Sequence, residues 1–438
     1  MAGETRRATL GDYFTLQRGT TYKSRLLGQP GPVLLGLASI QRNGGFRTDS
    51  LRTYGGDSPD KLLVHPGDLY VSLKDVTQSA DLLGAVARLP RDHPPGRLTQ
   101  DTVKLQPRDV RVPLDYLHWL LRTPQYRSYC RSHATGTTNL GLARDDFLAF
   151  PAPEPTPTQE SIVKALDALD DKIELNRRMN ETLLAMARAL FKSWFVDFDP
   201  VRAKMEGRDP GLPKHIADIF PPRLVDSELG GIPEGWEVKA FADTVEIIGG
   251  GTPKTSVAEY WDGDIPWFSV VDAPAGSEVW VIDTEKKVTN AGVENSSTRI
   301  LPVGTTILSA RGTVGRIALV GTPMAMNQSC YGLRGRSGPN GFFTYFSTRQ
   351  LVSRLQQHAH GSVFDTITRE TLKRVPLVMP TGELIEAFEM SVDPHLERIR
   401  TTLMASRTLT KLRDTLLPKL ISGELRVKDA EPFIGKTT

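Results

Sequence analysis

The sequence contains itself twice, and that constrains the fold more than any other feature. Leu10 to Ser24 (LGDYFTLQRGTTYKS) aligns with Phe241 to Thr255 (FADTVEIIGGGTPKT) at a separation of 231 residues, sharing an Asp, an apolar alternation, a Gly-rich turn and a Thr-x-Lys. In the same order, HPGDLYVS at 65–72 parallels PVGTTILS at 302–309, and LGAVA at 83–87 parallels VGRIA at 314–318. Late in each copy, Gly136, Leu142, Arg144, Pro151 and Pro155 face Gly361, Ile367, Arg369, Pro376 and Pro380, now 225 residues apart. Ordered matches at a nearly constant offset identify a duplication, so each copy must be able to fold as a unit. The 438 residues agree, because a chain of that length rarely closes around one core.

Within each copy, short β segments such as TTILSA and RIALV alternate with Gly/Pro turns and short helices such as LDYLHWLLRTP, which predicts a mixed α/β unit. Each copy ends at a proline-rich boundary, PAPEPTPTQE or PLVMPTGE, and runs into a long helical pattern. In the first, Ile162, Leu166, Leu169, Ile173, Asn176, Asn180, Leu183, Ala187, Leu190 and Trp194 step by fours and threes, the seam of a coiled coil. Asn176 and Asn180 are polar at seam positions, which either fixes register in a paired helix or marks residues that merely face solvent. In the second, Phe388, Val392, Leu396, Ile399, Leu403, Leu409, Leu412, Leu416 and Leu420 form a looser seam that ends at Ser422-Gly423. The predicted architecture is mixed α/β: two globular units separated by two long antiparallel coiled-coil helices, with pseudo-twofold internal symmetry. Its boundaries fall at 1–157 (first unit), 158–199 (central helix), 200–231 (Pro/Gly-rich linker), 232–381 (second unit), 382–425 (distal helix) and 426–438 (tail).

Composition removes several function classes. With 39% hydrophobic and 24% charged residues and a mean hydropathy of −0.27, the chain reads as an ordinary soluble protein. No stretch approaches the ~20 apolar residues of a membrane span, and residues 1–14 lack the apolar core of a signal peptide. A cytoplasmic location is expected. Cys130 and Cys330 are the only cysteines, with no CxxC, so neither a disulfide framework nor a zinc site is expected. The 54 basic residues nearly balance 51 acidic ones. Residues 1–157 hold 20 basic and 15 acidic residues and 232–381 hold 14 of each, so any nucleic-acid surface must be local.

No catalytic constellation is visible. Gly249 to Thr255 (GGGTPKT) superficially resembles a phosphate loop, but Pro253 occupies the position before Lys254 and removes a needed N–H, and the glycine spacing is wrong. Phe220-Pro221-Pro222 lacks the preceding amide or carboxylate of an amino-methyltransferase motif. His358 and His360 have no third ligand, and no metal site is expected. What remains is a set of polar turns whose side chains suit phosphates and base edges. In the second copy these are Thr252, Lys254, Ser309, Arg311, Thr313, Asn327, Gln328 and Ser362; in the first, Thr21, Lys23, Ser72, Lys74, Thr137, Thr138 and Asn139.

Taken together, IPEGWEV (232–238), GGGTPKT (249–255), YWDGDIPWFSVVD (260–272), the run VTNAGVENSSTRILPVGTTILSARGTVGRIALVG (288–321), Asn327-Gln328, LRDTLLPKLISGEL (412–425) and the central FKSWFVDFDPV (191–201) resemble the specificity subunit of type I restriction-modification systems. The resemblance covers nearly the whole chain. It implies two target-recognition domains, each reading one half of a split DNA site, with paired helices as a ruler. It implies as partners two methyltransferase subunits that bind S-adenosylmethionine and two ATP-driven motor-nuclease subunits that use ATP and Mg, leaving this chain non-catalytic and without a cofactor. The first copy departs from the pattern, LQRGTTYKS replacing the fuller Gly-Gly-Thr-Pro. The competing expectation is a duplicated coiled-coil scaffold that assembles proteins without reading DNA.

Overall fold

A computed structural model describes residues 8–48, 51–154, 156–336, 341–358 and 366–434. The chain forms two compact units, one from residues 1–173 with 407–438, the other from 174–406. Each contains an α/β body and one portion of each long helix, so the unit boundary passes through both helices.

The first unit is built on a four-stranded antiparallel sheet in the spatial order Phe14–Arg18, Thr102–Pro107, Leu69–Ser72, Val86–Arg88. All four residues of Leu69–Ser72 are buried, as expected of a central strand covered on both faces. The sheet shares a core with helices Leu114–Leu120 and Pro124–Ser132. Thr123 caps the latter, its hydroxyl accepting the Tyr126 N–H at 3.3 Å, with Pro124 preset in the first turn.

In the second unit the order is Val245–Gly249, Cys330–Gly335, Thr306–Ser309, Ile317–Val320, with Trp280–Val281 added in parallel at the edge. The first four strands stand in the order of the first unit's sheet, and the short helices Leu10–Tyr13 and Phe241–Thr244 lead into the corresponding first strands. The aligned arginines play one part twice: Arg144 donates to the Leu16 carbonyl at 2.9 Å and Arg369 to the Ile247 carbonyl at 3.3 Å. Leu16 and Ile247 lie at the 231-residue offset, so the sequence repeat is a repeat of topology and of individual contacts.

The long helices run over Pro157–Phe195 and Gly382–Ser422, the second straight through Pro394 and Pro418, which leave the Met390 and Asp414 carbonyls without a helical donor. Gly423, at φ 77°, ends it in the left-handed conformation that glycine tolerates best. The helix portions of the second unit pair antiparallel. In the second unit Asn176 Nδ2 donates to Ser406 Oγ at 3.0 Å, and the Thr402 hydroxyl bonds Asn180 Oδ1 at 2.5 Å. Both asparagines are buried and each meets a hydroxyl of the opposite helix, as register-setting residues should.

Beyond Asn180 the seam differs from the sequence expectation. Leu184, Ala187, Phe191 and Trp194 are the buried positions, whereas Leu183 and Leu190 flank them half-buried. Two successive steps of four, from Asn176 to Asn180 to Leu184, shift the stripe by one residue; such a stutter locally unwinds the coil. The shift carries Phe191 into the aromatic cluster of Phe195, Phe346 and Phe388.

Each unit anchors its helix portions to its α/β body differently. In the first, Trp119 Nε1 and Arg88 donate to Asp167 at 2.9 and 3.1 Å, while Arg122 and Arg413 both reach Asp170. Burial works against the Asp170 carboxylate, yet the two guanidiniums hold its pKa down to about 2. In the second, Trp280 Nε1 donates to the Leu396 carbonyl at 2.8 Å.

Candidate nucleic-acid interface

Antiparallel order fixes which loops become neighbours. In the second unit, strand Val245–Gly249 ends, Cys330–Gly335 begins, Thr306–Ser309 ends and Ile317–Val320 begins along one edge of the sheet. The GGGTPKT loop, the Asn327-Gln328-Ser329 turn and the Ser309–Thr313 turn therefore lie side by side. Direct bonds tie them together: the Gly251 N–H donates to the Met326 carbonyl at 3.0 Å, Thr252 Oγ1 bonds Gln328 Oε1, and the Ala310 N–H donates to the Ser329 carbonyl at 2.8 Å.

This geometry explains two of the three glycines, Gly250 and Gly251. A Cβ on Gly250 would stand 1.9 Å from the Asn327 carbonyl oxygen, and one on Gly251 would stand 2.3 Å from Ser297 Oγ. They are present for close approach, and the Gly251 N–H is already bonded, unlike the free amides of a phosphate loop. Two tryptophans brace the loop. Trp267 Nε1 donates to the Gly251 carbonyl at 3.0 Å and Trp261 Nε1 to the Lys254 carbonyl at 3.2 Å, with their rings edge-to-face at 5.1 Å. Lys254 itself is exposed with no side-chain partner among the described residues, and the same holds for Arg311. Thr252, Thr313 and Gln328 are exposed and Asn327 half-buried, its Oδ1 accepting the Ser329 N–H at 3.0 Å.

In the first unit the same edge carries Gly19 to Lys23, the Thr99–Asp101 turn and Lys74. Gly19 stands where Gly250 stands: its Cβ would fall 2.0 Å from the Thr99 carbonyl oxygen. One close approach needs one glycine, which accounts for the sparser pattern of the first copy. Buried Arg97 braces this loop, donating to Thr20 Oγ1 at 3.0 Å and to the Thr21 carbonyl at 3.3 Å while its guanidinium lies over the Tyr54 ring at 4.9 Å. Thr21 and Lys23 are exposed. Lys74, half exposed, pairs with Asp101 at 3.4 Å. Its short strand Lys74–Asp75 is hydrogen-bonded to the hairpin Ala134–Thr135/Leu140–Leu142, whose exposed tip holds Thr137, Thr138 and Asn139.

Two expected contact residues turn inward. Ser72 and Ser309 are completely buried. Ser309 Oγ donates to the Thr313 carbonyl at 2.6 Å and accepts the Arg316 N–H at 2.8 Å; Ser72 Oγ bonds the Lys74 carbonyl at 2.5 Å. They close the turns that present Arg311 and Lys74, and as surface contacts they are corrected: a hydroxyl at the end of a covered strand faces its own turn. Ser362 lies outside the described residues, as do the aligned Pro155 and Gly361. Sequence reading passed over Ser297 and Arg299, exposed beside the GGGTPKT loop, and the bracing Trp261, Trp267 and Arg97. Two tryptophans six residues apart, soon after the glycine run 249–251 and with indole N–H groups that need acceptors, were the available signal.

Among the described residues no group of His, Cys, Asp and Glu is arranged to hold a metal ion, and no helix is long and apolar enough to cross a membrane. Cys130 and Cys330 are free and buried, and burial pushes the Cys330 thiol up to about 12.

Residues 233–383 match the family described as the type I restriction modification DNA specificity domain. The chain is 30% identical over 310 residues to the type I restriction enzyme HindI specificity subunit of Haemophilus influenzae, spanning 61% of this chain and 67% of that one. It is 32% identical over 160 residues to the MjaIX specificity subunit of Methanocaldococcus jannaschii, spanning 36% and 37%. The fold resembles the crystal structure of the S subunit of a type I restriction-modification system from M. genitalium, with a TM-score of 0.51 at 14% identity over 96% of this chain and 98% of that one. The family match and the sequence likenesses support DNA specificity over a scaffold without DNA readout, and the chain belongs to the type I restriction enzyme specificity subunits.

Proposed function

We propose that the chain reads a bipartite duplex DNA site, residues 1–157 recognising one half and residues 232–381 the other. The observation that carries this reading is the repeated sheet edge: corresponding strand ends in both units present exposed Thr and Lys side chains, joined by Arg311 in the second, on loops braced from behind. Phosphate contacts from such lysines and arginines position a protein on the duplex, and base-edge contacts from neighbouring polar groups specify the sequence. Helices 158–199 and 382–425 set the distance between half-sites and dock two methyltransferase subunits; 200–231 is the connector and 426–438 a tail. The chain itself is non-catalytic and carries no cofactor. S-adenosylmethionine belongs to the methyltransferase subunits, ATP and Mg to two motor-nuclease subunits, and the complex works in the cytoplasm. Selection from randomised duplexes by the chain assembled with its methyltransferase partner tests this. Two defined blocks separated by a gap of fixed length, bound with an affinity that falls steeply with salt, are expected. Enrichment of no sequence, or of one uninterrupted block, contradicts it.

A further inference from the structure

The first unit contains a loop that the second lacks. Between strands Leu69–Ser72 and Val86–Arg88 run residues 73–85, where the second unit needs only 310–316 to make the corresponding connection. The longer loop is splinted from inside. Asp75 is completely buried, and its carboxylate accepts the Thr77 N–H at 2.7 Å, the Thr77 hydroxyl at 2.8 Å, and the Leu82 and Leu83 N–H groups at 2.7 and 3.2 Å. From the other side buried Arg127 donates to the carbonyls of Leu83, Ala80 and Asp81 at 2.6, 2.9 and 2.9 Å. Between these clamps Ala80 is held at φ 55°, left-handed backbone that a residue with a Cβ adopts only when its surroundings impose it.

The splint shapes a tip that turns away from the core. Val76 is 63% exposed, Gln78 and Ser79 are exposed, and the Gln78 amide has no partner among the described residues. The tip follows directly on Ser72 and Lys74, so it stands at the sheet edge already assigned to DNA. A Gln amide places a donor NH2 beside an acceptor carbonyl, matching N7 and N6 of adenine in the major groove, and an exposed apolar side chain suits the methyl group of thymine.

We propose that Val76 to Ser79 is the base-reading element of the first unit, with Gln78 and Val76 together recognising one A·T pair and Asp75 and Arg127 as the positioning residues that hold the tip in shape. The inference rests on the reading of the first unit as a DNA-recognition unit.

The test is selection from randomised duplexes by the full chain assembled with its methyltransferase partner. Wild type, Gln78→Ala and a chain whose residues 1–157 are exchanged for the equivalent unit of another specificity subunit are compared, with thermal melting to check that each is folded. Gln78→Ala is expected to relax one A·T position by roughly 10- to 100-fold, in the half-site that the exchange replaces. A Gln78→Ala profile superimposable on wild type, or relaxation within the half-site that the exchange leaves unchanged, overturns the assignment of this loop while the bipartite reading stands. A wild-type profile without two blocks overturns both.

Discussion

At the scale of single residues, polar loop side chains that look alike in sequence divide into those that face out and those that hold the loop. Lys254 and Arg311 are exposed and free of ion pairs among the described residues, so truncating either to Ala should lower the slope of log affinity against log salt by about one unit if it meets a phosphate. An unchanged slope, affinity and sequence preference in both folded variants would make these turns ordinary surface. Ser309→Ala should do the opposite. It leaves the Thr313 carbonyl and Arg316 N–H without the hydroxyl they share, costing about 1–3 kcal/mol in a urea melt with no direct loss of a phosphate contact. A second expectation concerns Glu389 in the second long helix, whose half-buried carboxyl receives the N–H groups of Phe342 and Phe343 at 3.3 and 2.7 Å. Burial, with Asp393 adding to it, raises its pKa to about 7. Because the folded state holds this proton more tightly than the unfolded chain, the contribution to stability is full below about pH 4.5 and is lost as pH rises through about 7. Wild type should lose up to about 3 kcal/mol relative to Glu389→Gln between pH 4.5 and 7.5; parallel pH profiles of the two urea midpoints would contradict this. Sequence reading could not separate Ser309 from Arg311, because both are small or charged residues in one turn. Only the register of the preceding strand says which one points inward.

At the scale of elements, the strands and the long helices were legible because their periods of two and of three to four are properties of local sequence. The strand Thr306–Ser309 lies where the apolar run TTILSA predicted it, and Asn176 and Asn180 sit in the seam as expected. The stutter was not legible, because either Leu183 or Leu184 satisfies a helical stripe. What decides is Phe191, which packs with Phe195, Phe346 and Phe388, residues scattered over three elements. The braces were missed for the same reason: Trp267 to Gly251 and Arg97 to Thr20 are partnerships that only the tertiary fold reveals. The helices also carry a prediction. Matched insertions of four residues after Asn180 and after Thr402 add about one turn to each, roughly 6 Å at 1.5 Å per residue, and the seam tolerates another stutter there. At ~3.4 Å per base pair, the preferred gap between half-sites should lengthen by one or two base pairs, less where the helices tilt from the duplex axis, with both half-sites unchanged. A fully active variant with the original gap would show that these helices are not the ruler. Asp170→Asn should expose the other anchorage. Leaving Arg122 and Arg413 facing a neutral amide should destabilise the first unit by about 3–5 kcal/mol, and in wild type the contribution of Asp170 is present above about pH 4 and lost as pH falls toward 2, as thermal melts across that range would register.

At the scale of the whole molecule, the central proposal is that a duplicated α/β unit is a duplicated reading head. The duplication was visible in the sequence because glycines, prolines and the Arg144/Arg369 pair hold backbone positions that few other residues can fill. Which base each head reads was not, since the two edges are braced by different residues and carry loops of different length, 73–85 against 310–316. Exchanging residues 1–157 for the equivalent unit of another specificity subunit, then mapping the methylated adenines laid down by the assembled methyltransferase complex, measures the claim directly. The account predicts a hybrid site in which one half-site becomes that of the donor and the other is retained. Both half-sites changing together, or neither changing in an active complex, would contradict it.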